Sequence, residues 1–229
     1  MTAETATLKW AHPRVQVRSG ETLARILDAT EALLRARRFE DIFVGDIVRY
    51  SKSSVGAFYA RFPDKDALLG CLYERFREQL AQATDELFDP QRWKNDSLEA
   101  ILAAAVPFVI NLHRQRQGLL RAFAAKACSD ERFRKVWKRT RDHAARRIKM
   151  LGAARRHEVS HPDPELAIET GLSMVLCTVE LKLQLGEIDD PAMDVLAGEL
   201  VRALVAYVGI DPRAGAVDMR RDAVCETKR

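Results

Sequence analysis

Gly56, Ala57, Tyr59 and Ala60 carry the most distinctive chemistry in this chain, and it is the chemistry of contact rather than of bond-making. At 100° per residue Gly56 and Ala60 share one helix face, with Ala57 and Tyr59 on its flanks. A face that small lets a helix backbone approach a partner closely, with one phenolic hydroxyl beside it. Phe58 and Phe62 lie four apart on the opposite face, where they can anchor the helix. The flanking residues define the element that holds this face. Ile47 and Val48 are the inward side of a preceding short helix, and Tyr50 to Ser53 is a polar break. Ser54 suits the N-cap of the next helix, Pro63 stops it, and Asp64-Lys65-Asp66 opens a longer one. Two short helices across a tight turn have the shape of a helix-turn-helix, whose second helix enters the DNA major groove.

Enzyme chemistry finds no footing. The chain has no G-x-S-x-G elbow, no glycine-rich phosphate loop and no H-E-x-x-H pair. His113, His143, His157 and His161 are scattered without ligand spacing, so no metal or cofactor is expected. Cys71, Cys128, Cys177 and Cys225 form no C-x-x-C pair and suggest neither zinc nor a disulfide framework. The 229 residues are enough for one large or two small domains, and 47% hydrophobic with 31% charged residues is ordinary for a globular protein. A net charge of +4 does not by itself announce a nucleic-acid binder. The N-terminus has no apolar signal-peptide core, and the run Ile101 to Leu112 is too short to span a bilayer. A cytoplasmic protein is the resulting expectation.

The segment from Ser54 onward resembles the recognition-helix signature of the tetracycline-repressor (TetR) family. Ser54, Gly56, Tyr59, Phe62, Lys65 and Leu68 match, and Phe58 and Arg61 are near-substitutions. The likeness reaches back through Ile26, Ala29, Phe39, Asp46 and Ile47 and covers about residues 18 to 70. It implies that Tyr59 and Lys65 touch phosphates, with Ser54 and nearby backbone N–H groups as helpers. Such contacts set position and affinity rather than sequence. Gly56, Ala57 and Ala60 can read a thymine methyl and local shape, which leaves side-chain readout to Ser53, Val55, Arg61 or the N-terminal arm. The chain departs from the family pattern at Arg38 and Lys52, where glycine is usual, at Phe43, where Thr or Ser caps the helix, and at Ala57, where Thr is usual.

In chain order, residues 1 to 18 read as a basic flexible arm and Ser19 as the cap of a first helix. Residues 19 to 70 are expected to form the DNA-binding domain, 71 to 211 a helical ligand-binding and dimerisation domain, and 212 to 229 a flexible tail. From Ser97 the pattern is all-helical, with Pro107 inside one helix and Ser129 capping another. Residues 114 to 156 carry a dense basic run that reads first as a solvated helix face. Phe108, Asn111, His113, Phe123, Trp137, Met174 and Cys177 are candidates to line a cavity for a small-molecule effector, with core packing as the alternative for each.

The fold class is therefore all-α, with a three-helix reading domain and a larger helical domain. The resemblance implies a homodimer through the last two helices, a double-stranded DNA operator of palindromic sequence, and repression relieved by a small ligand. The alternative is a dimer of this fold that binds a ligand or partner and holds DNA weakly or without sequence preference.

Overall fold

The computed structural model describes residues 17–210, and among these the regular elements are helices, with one isolated antiparallel bridge between Val159 and Ile210. The helices are α1 (Val17–Leu34), α2 (Val44–Tyr50), α3 (Val55–Tyr59), α4 (Lys65–Leu87), α5 (Leu98–Gln115), α6 (Gln117–Ser129), α7 (Glu131–Ala153), α8 (Pro164–Leu185) and α9 (Ala192–Val208). The expected tail lies outside the described residues, as does the expected arm apart from its last two, which are already helical. The described chain forms two compact units, one of residues 17–80 and 116–137, the other of 81–115 and 138–210. The division falls inside α4, and the first unit takes in α6 and the start of α7 as well as the helix-turn-helix.

In the first unit α1 packs on α2 and α6, and α2 packs on α3. Its core is made by Ile26, Leu27, Phe39, Ile42, Ile47, Phe58, Phe62 and Leu68, all buried. Phe58 and Phe62 stack with centroids 5.2 Å apart, as their i, i+4 spacing dictates. Burying side chains of this size contributes about 1.5–3 kcal/mol each, enough to hold a five-residue α3 that has no stability of its own. A second aromatic cluster joins Tyr73 and Phe76 of α4 to Phe123 of α6 and to Phe133 and Trp137 of α7, with the Tyr73 hydroxyl donating to the Val136 carbonyl at 2.8 Å.

In the second unit α5, α8 and α9 pack on one another. Asp163 caps α8 by accepting from the Leu166 N–H at 3.0 Å, with Pro164 at the first helical position where its missing donor costs nothing. Two caps differ from expectation. The chain is already helical at Val17, so Ser19 lies inside α1 rather than at its cap. Ser129 ends α6, and Asp130 caps α7 instead, its carboxylate accepting from the N–H groups of Arg132 (2.9 Å) and Phe133 (3.1 Å). Serine and aspartate are near-equal caps, so their order in sequence does not decide between them.

Candidate nucleic-acid interface

Sequence and geometry agree closely at the turn. The Ser51 N–H bonds the Ile47 carbonyl and the Ser53 N–H bonds the Val48 carbonyl, both at 2.9 Å, while Lys52 between them has φ 51°. Lys52 is the one non-glycine residue with positive φ among those described. Its backbone occupies the position where glycine is free of the Cβ penalty, at a cost of roughly 1 kcal/mol for an L-residue. Lys52→Gly is therefore expected to stabilise the fold by up to about 1 kcal/mol, read as a raised midpoint in denaturant. A lowered midpoint would contradict that strain.

Phe43 stands at the N-cap of α2 and offers no side-chain acceptor. Asp46, three residues on, supplies half of a capping box, its carboxylate accepting from the Phe43 N–H at 3.2 Å. The same carboxylate pairs with Arg37 at 2.9 Å and Arg49 at 2.7 Å. The Phe43 N–H and the Arg37 guanidinium hold the Asp46 carboxyl below the usual carboxylate range. Ser54 caps α3, its hydroxyl accepting from the Ala57 N–H at 3.0 Å.

The outer face of α3 is open. Gly56 and Ala60 are exposed, Val55 and Tyr59 are about half exposed (52% and 50%), and Ala57 and Ser53 are partly covered. Ser53 Oγ is engaged by Ser51 Oγ at 2.7 Å. Two cations are turned to other work. Arg61 folds back so that Nη1 donates to the Ala57 carbonyl at 2.6 Å, closing the end of α3. Lys65 Nζ donates to the Phe39 carbonyl at 2.7 Å and lies 4.6 Å from the centre of the Phe39 ring, and burial lowers its pKa. It joins the start of α4 to the connection between α1 and α2. Tyr50 and Phe43, neither singled out as a contact from sequence, are exposed at 59% and 69%. Lys52 and Arg38 stand exposed in the same unit.

Residues 26–72 match the model of the family described as bacterial regulatory proteins, tetR family. That segment carries a TetR-type DNA-binding domain. Solved TetR-family structures share the fold across most of the chain. A transcriptional regulator from Mesorhizobium loti aligns with TM-score 0.68 and 17% identity over 85% of this chain and 100% of its own. A TetR regulator from Haloarcula marismortui aligns with TM-score 0.65 and 14% identity over 82% and 97%. RolR in complex with resorcinol aligns with TM-score 0.54 and 19% identity over 86% and 92%. No curated protein sequence matches the chain.

The effector candidates belong to both units. Phe123 and Trp137 meet in the first unit's aromatic cluster, with centroids 5.6 Å apart. Phe108 and His113 belong to the second unit, Phe108 packing edge-on against Phe88 and His113 buried on α5. Asn111, Met174 and Cys177 are exposed. Part of the basic run is neutralised: Arg114 pairs with Asp194, Arg116 with Glu31, Lys126 with Asp66, Arg147 with Asp85 and Lys149 with Glu169. Among the described residues no helix is long and apolar enough to cross a membrane.

Proposed function

We propose that the protein is a homodimeric transcriptional regulator that holds a palindromic operator through α3 and releases it when a small molecule binds. The observation that carries this is the bare outer face of α3. Exposed Gly56 and Ala60 put the helix backbone against the floor of a major groove, with the Tyr59 hydroxyl at the edge where a phosphate would lie. Val55, Ala57 and Ser53 complete the reading surface, with Ser54, Arg61 and Lys65 fixing its shape from behind. In this reading Lys65 acts on phosphate only by giving up its hold on Phe39, and Tyr50 is a further phenol placed for the backbone.

The effector part is supported by the fold shared with RolR, a protein crystallised with resorcinol. Release then requires that the ligand favour a conformation whose two reading heads are wrongly spaced, a difference in affinity between two states. The reading that binding is weak or non-specific draws on the strained Lys52 and the side-chain-less cap at Phe43. Selection of bound fragments from genomic DNA at two salt concentrations separates the two. A regulator enriches one palindrome over background by roughly a thousandfold or more. Uniform binding that vanishes with salt would favour the alternative.

Tyr59→Phe tests the phosphate contact. Losing a hydrogen bond to a charged partner is worth roughly 1.5–3 kcal/mol, so affinity should fall about tenfold or more, and equally on all sequences. Tyr59 is half exposed, so the fold is untouched. Unchanged affinity in a filter-binding titration would remove Tyr59 from the interface.

A further inference from the structure

The polar side chains of the turn and α3 are largely committed within the protein. Arg61 lies back along the helix, with Nη1 on the Ala57 carbonyl at 2.6 Å and Nε buried without a partner. Ser51 Oγ donates to the Val48 carbonyl at 3.4 Å, which leaves Ser53 as the donor in their 2.7 Å hydroxyl pair. Ser53 thus spends its one hydrogen inside the turn. Ser54 Oγ is held at the N-cap by the Ala57 N–H at 3.0 Å. Lys65 Nζ donates to the carbonyls of Phe39 and Glu40, at 2.7 and 3.4 Å.

What α3 presents outward is apolar. Val55, its first residue, is half exposed, Ala60 is exposed and Ala57 is partly covered. Gly56 has no internal reason to lack a side chain, since a Cβ there would meet only Ser54 Oγ, at 3.9 Å. Alanine is the better helix former, so the bareness at Gly56 is explained by a partner that comes close rather than by packing. All four residues lie inside the segment that matches the TetR-type DNA-binding domain. The N-terminal residues of a recognition helix face base edges, and on those edges the pyrimidine C5 methyl is the one apolar group.

We infer that Val55 and Ala60, with Ala57 beside them, read pyrimidine C5 methyl groups in the major groove, so that 5-methylcytosine serves in place of thymine. The inference rests on the DNA-holding reading above and names the chemistry that is recognised. Thymine and 5-methylcytosine differ at the exocyclic group, an acceptor in one and a donor in the other. With Arg61 and Ser53 committed inside the protein, that difference meets no side chain, and the shared methyl decides.

The test is selection by the full-length protein from one random duplex library prepared in four forms. One is unmodified; the others carry uracil for thymine, 5-methylcytosine for cytosine, or 7-deazaguanine for guanine. The unmodified form is expected to enrich thymine at fixed positions, and the enriched duplexes should bind roughly tenfold or more weakly when remade with uracil. Each buried methyl is worth about fourfold, and a two-fold site carries it in both halves. In the 5-methylcytosine form, cytosine should rise at those same positions, and 7-deazaguanine should leave affinity unchanged. Val55→Ala and Ala60→Gly should each bring the thymine-to-uracil affinity ratio closer to one, with helix content by circular dichroism unchanged. A purely structural role would lower both affinities together and leave the ratio alone. Equal binding of thymine and uracil duplexes overturns the inference, as does a site that depends on guanine N7 or a full ratio kept by both variants. A palindrome enriched alike from both libraries keeps the regulator reading and overturns methyl reading, whereas thymine preference without a palindrome does the reverse. Absence of DNA binding overturns both.

Discussion

Gly118→Ala is expected to destabilise the first unit sharply, although alanine is the better helix former. A Cβ on Gly118 would lie 2.6 Å from the carbonyl carbon of Leu34 and closer still to its oxygen. Those are backbone atoms at the end of α1, so no side chain can rotate away. Helix propensity favours alanine by about 1 kcal/mol, while overpacking against a fixed neighbour costs about 1–3 kcal/mol and occasionally more. The clash wins, because relief requires α6 to lift off α1. That contact is reinforced by Arg116, which pairs with Glu31 at 2.5 Å and Gln79 at 3.1 Å, and by Arg75, which holds Glu31 at 2.6 Å. A net loss near 2 kcal/mol lowers the melting temperature by very roughly 10 °C in a unit of this size. Gly20→Ala is the control, since a Cβ there meets nothing within 4 Å and the change should be neutral or mildly stabilising. Equal melting curves for Gly118→Ala and the parent would show that α6 is not tightly seated on α1.

What could be read from sequence at the candidate site was local. Ser54 as cap, Phe58 and Phe62 as anchors, and the cost of Lys52 all depend on spacings of four residues or fewer, which helix and turn geometry fix. What escaped was the choice a long side chain makes among distant partners. Lys65 reaches a carbonyl 26 residues away and Arg61 turns back on its own helix, and neither destination is encoded in the motif that names them. The all-helical class was legible from periodicity. The placing of α6 in the first unit and the split of α7 were not, because α4 and α7 each run through both units and present continuous stripes to different neighbours. Phe123 and Trp137 fell on one side of that division and His113 on the other for this reason.

Ala203→Glu is expected to convert the proposed dimer to monomer. Within the protomer α8 and α9 pack closely, with a Cβ on Gly171 running into Leu204. Their outer sides are apolar in part, with the exposed Glu199–Arg202 pair also on α9. Leu166, Met174, Leu181 and Leu185 on α8 and Val195 and Tyr207 on α9 are exposed, with Ala203 and Ala206 among them. Met174, Leu181 and Leu185, seven and four residues apart, share one side of α8, and Val195, Ala203 and Ala206, eight and three apart, share one side of α9, a pattern found at surfaces that are covered. In the proposed dimer a second copy would cover both sides in a four-helix arrangement, with the small Ala203 and Ala206 letting the α9 helices approach. In a two-fold interface each substitution enters twice, so Ala203→Glu brings two carboxylates into one desolvated patch. Burying an unpaired charge costs several kcal/mol, a loss of at least a hundredfold in association. Ala203 is exposed in the protomer, so helix content by circular dichroism should be unchanged while sedimentation velocity shifts to the monomer. Operator affinity falls with it, because a monomer presents one reading head to a site of two halves. Sedimentation indistinguishable from the parent would place the dimer interface elsewhere and leave the exposed apolar residues of α8 and α9 to another partner.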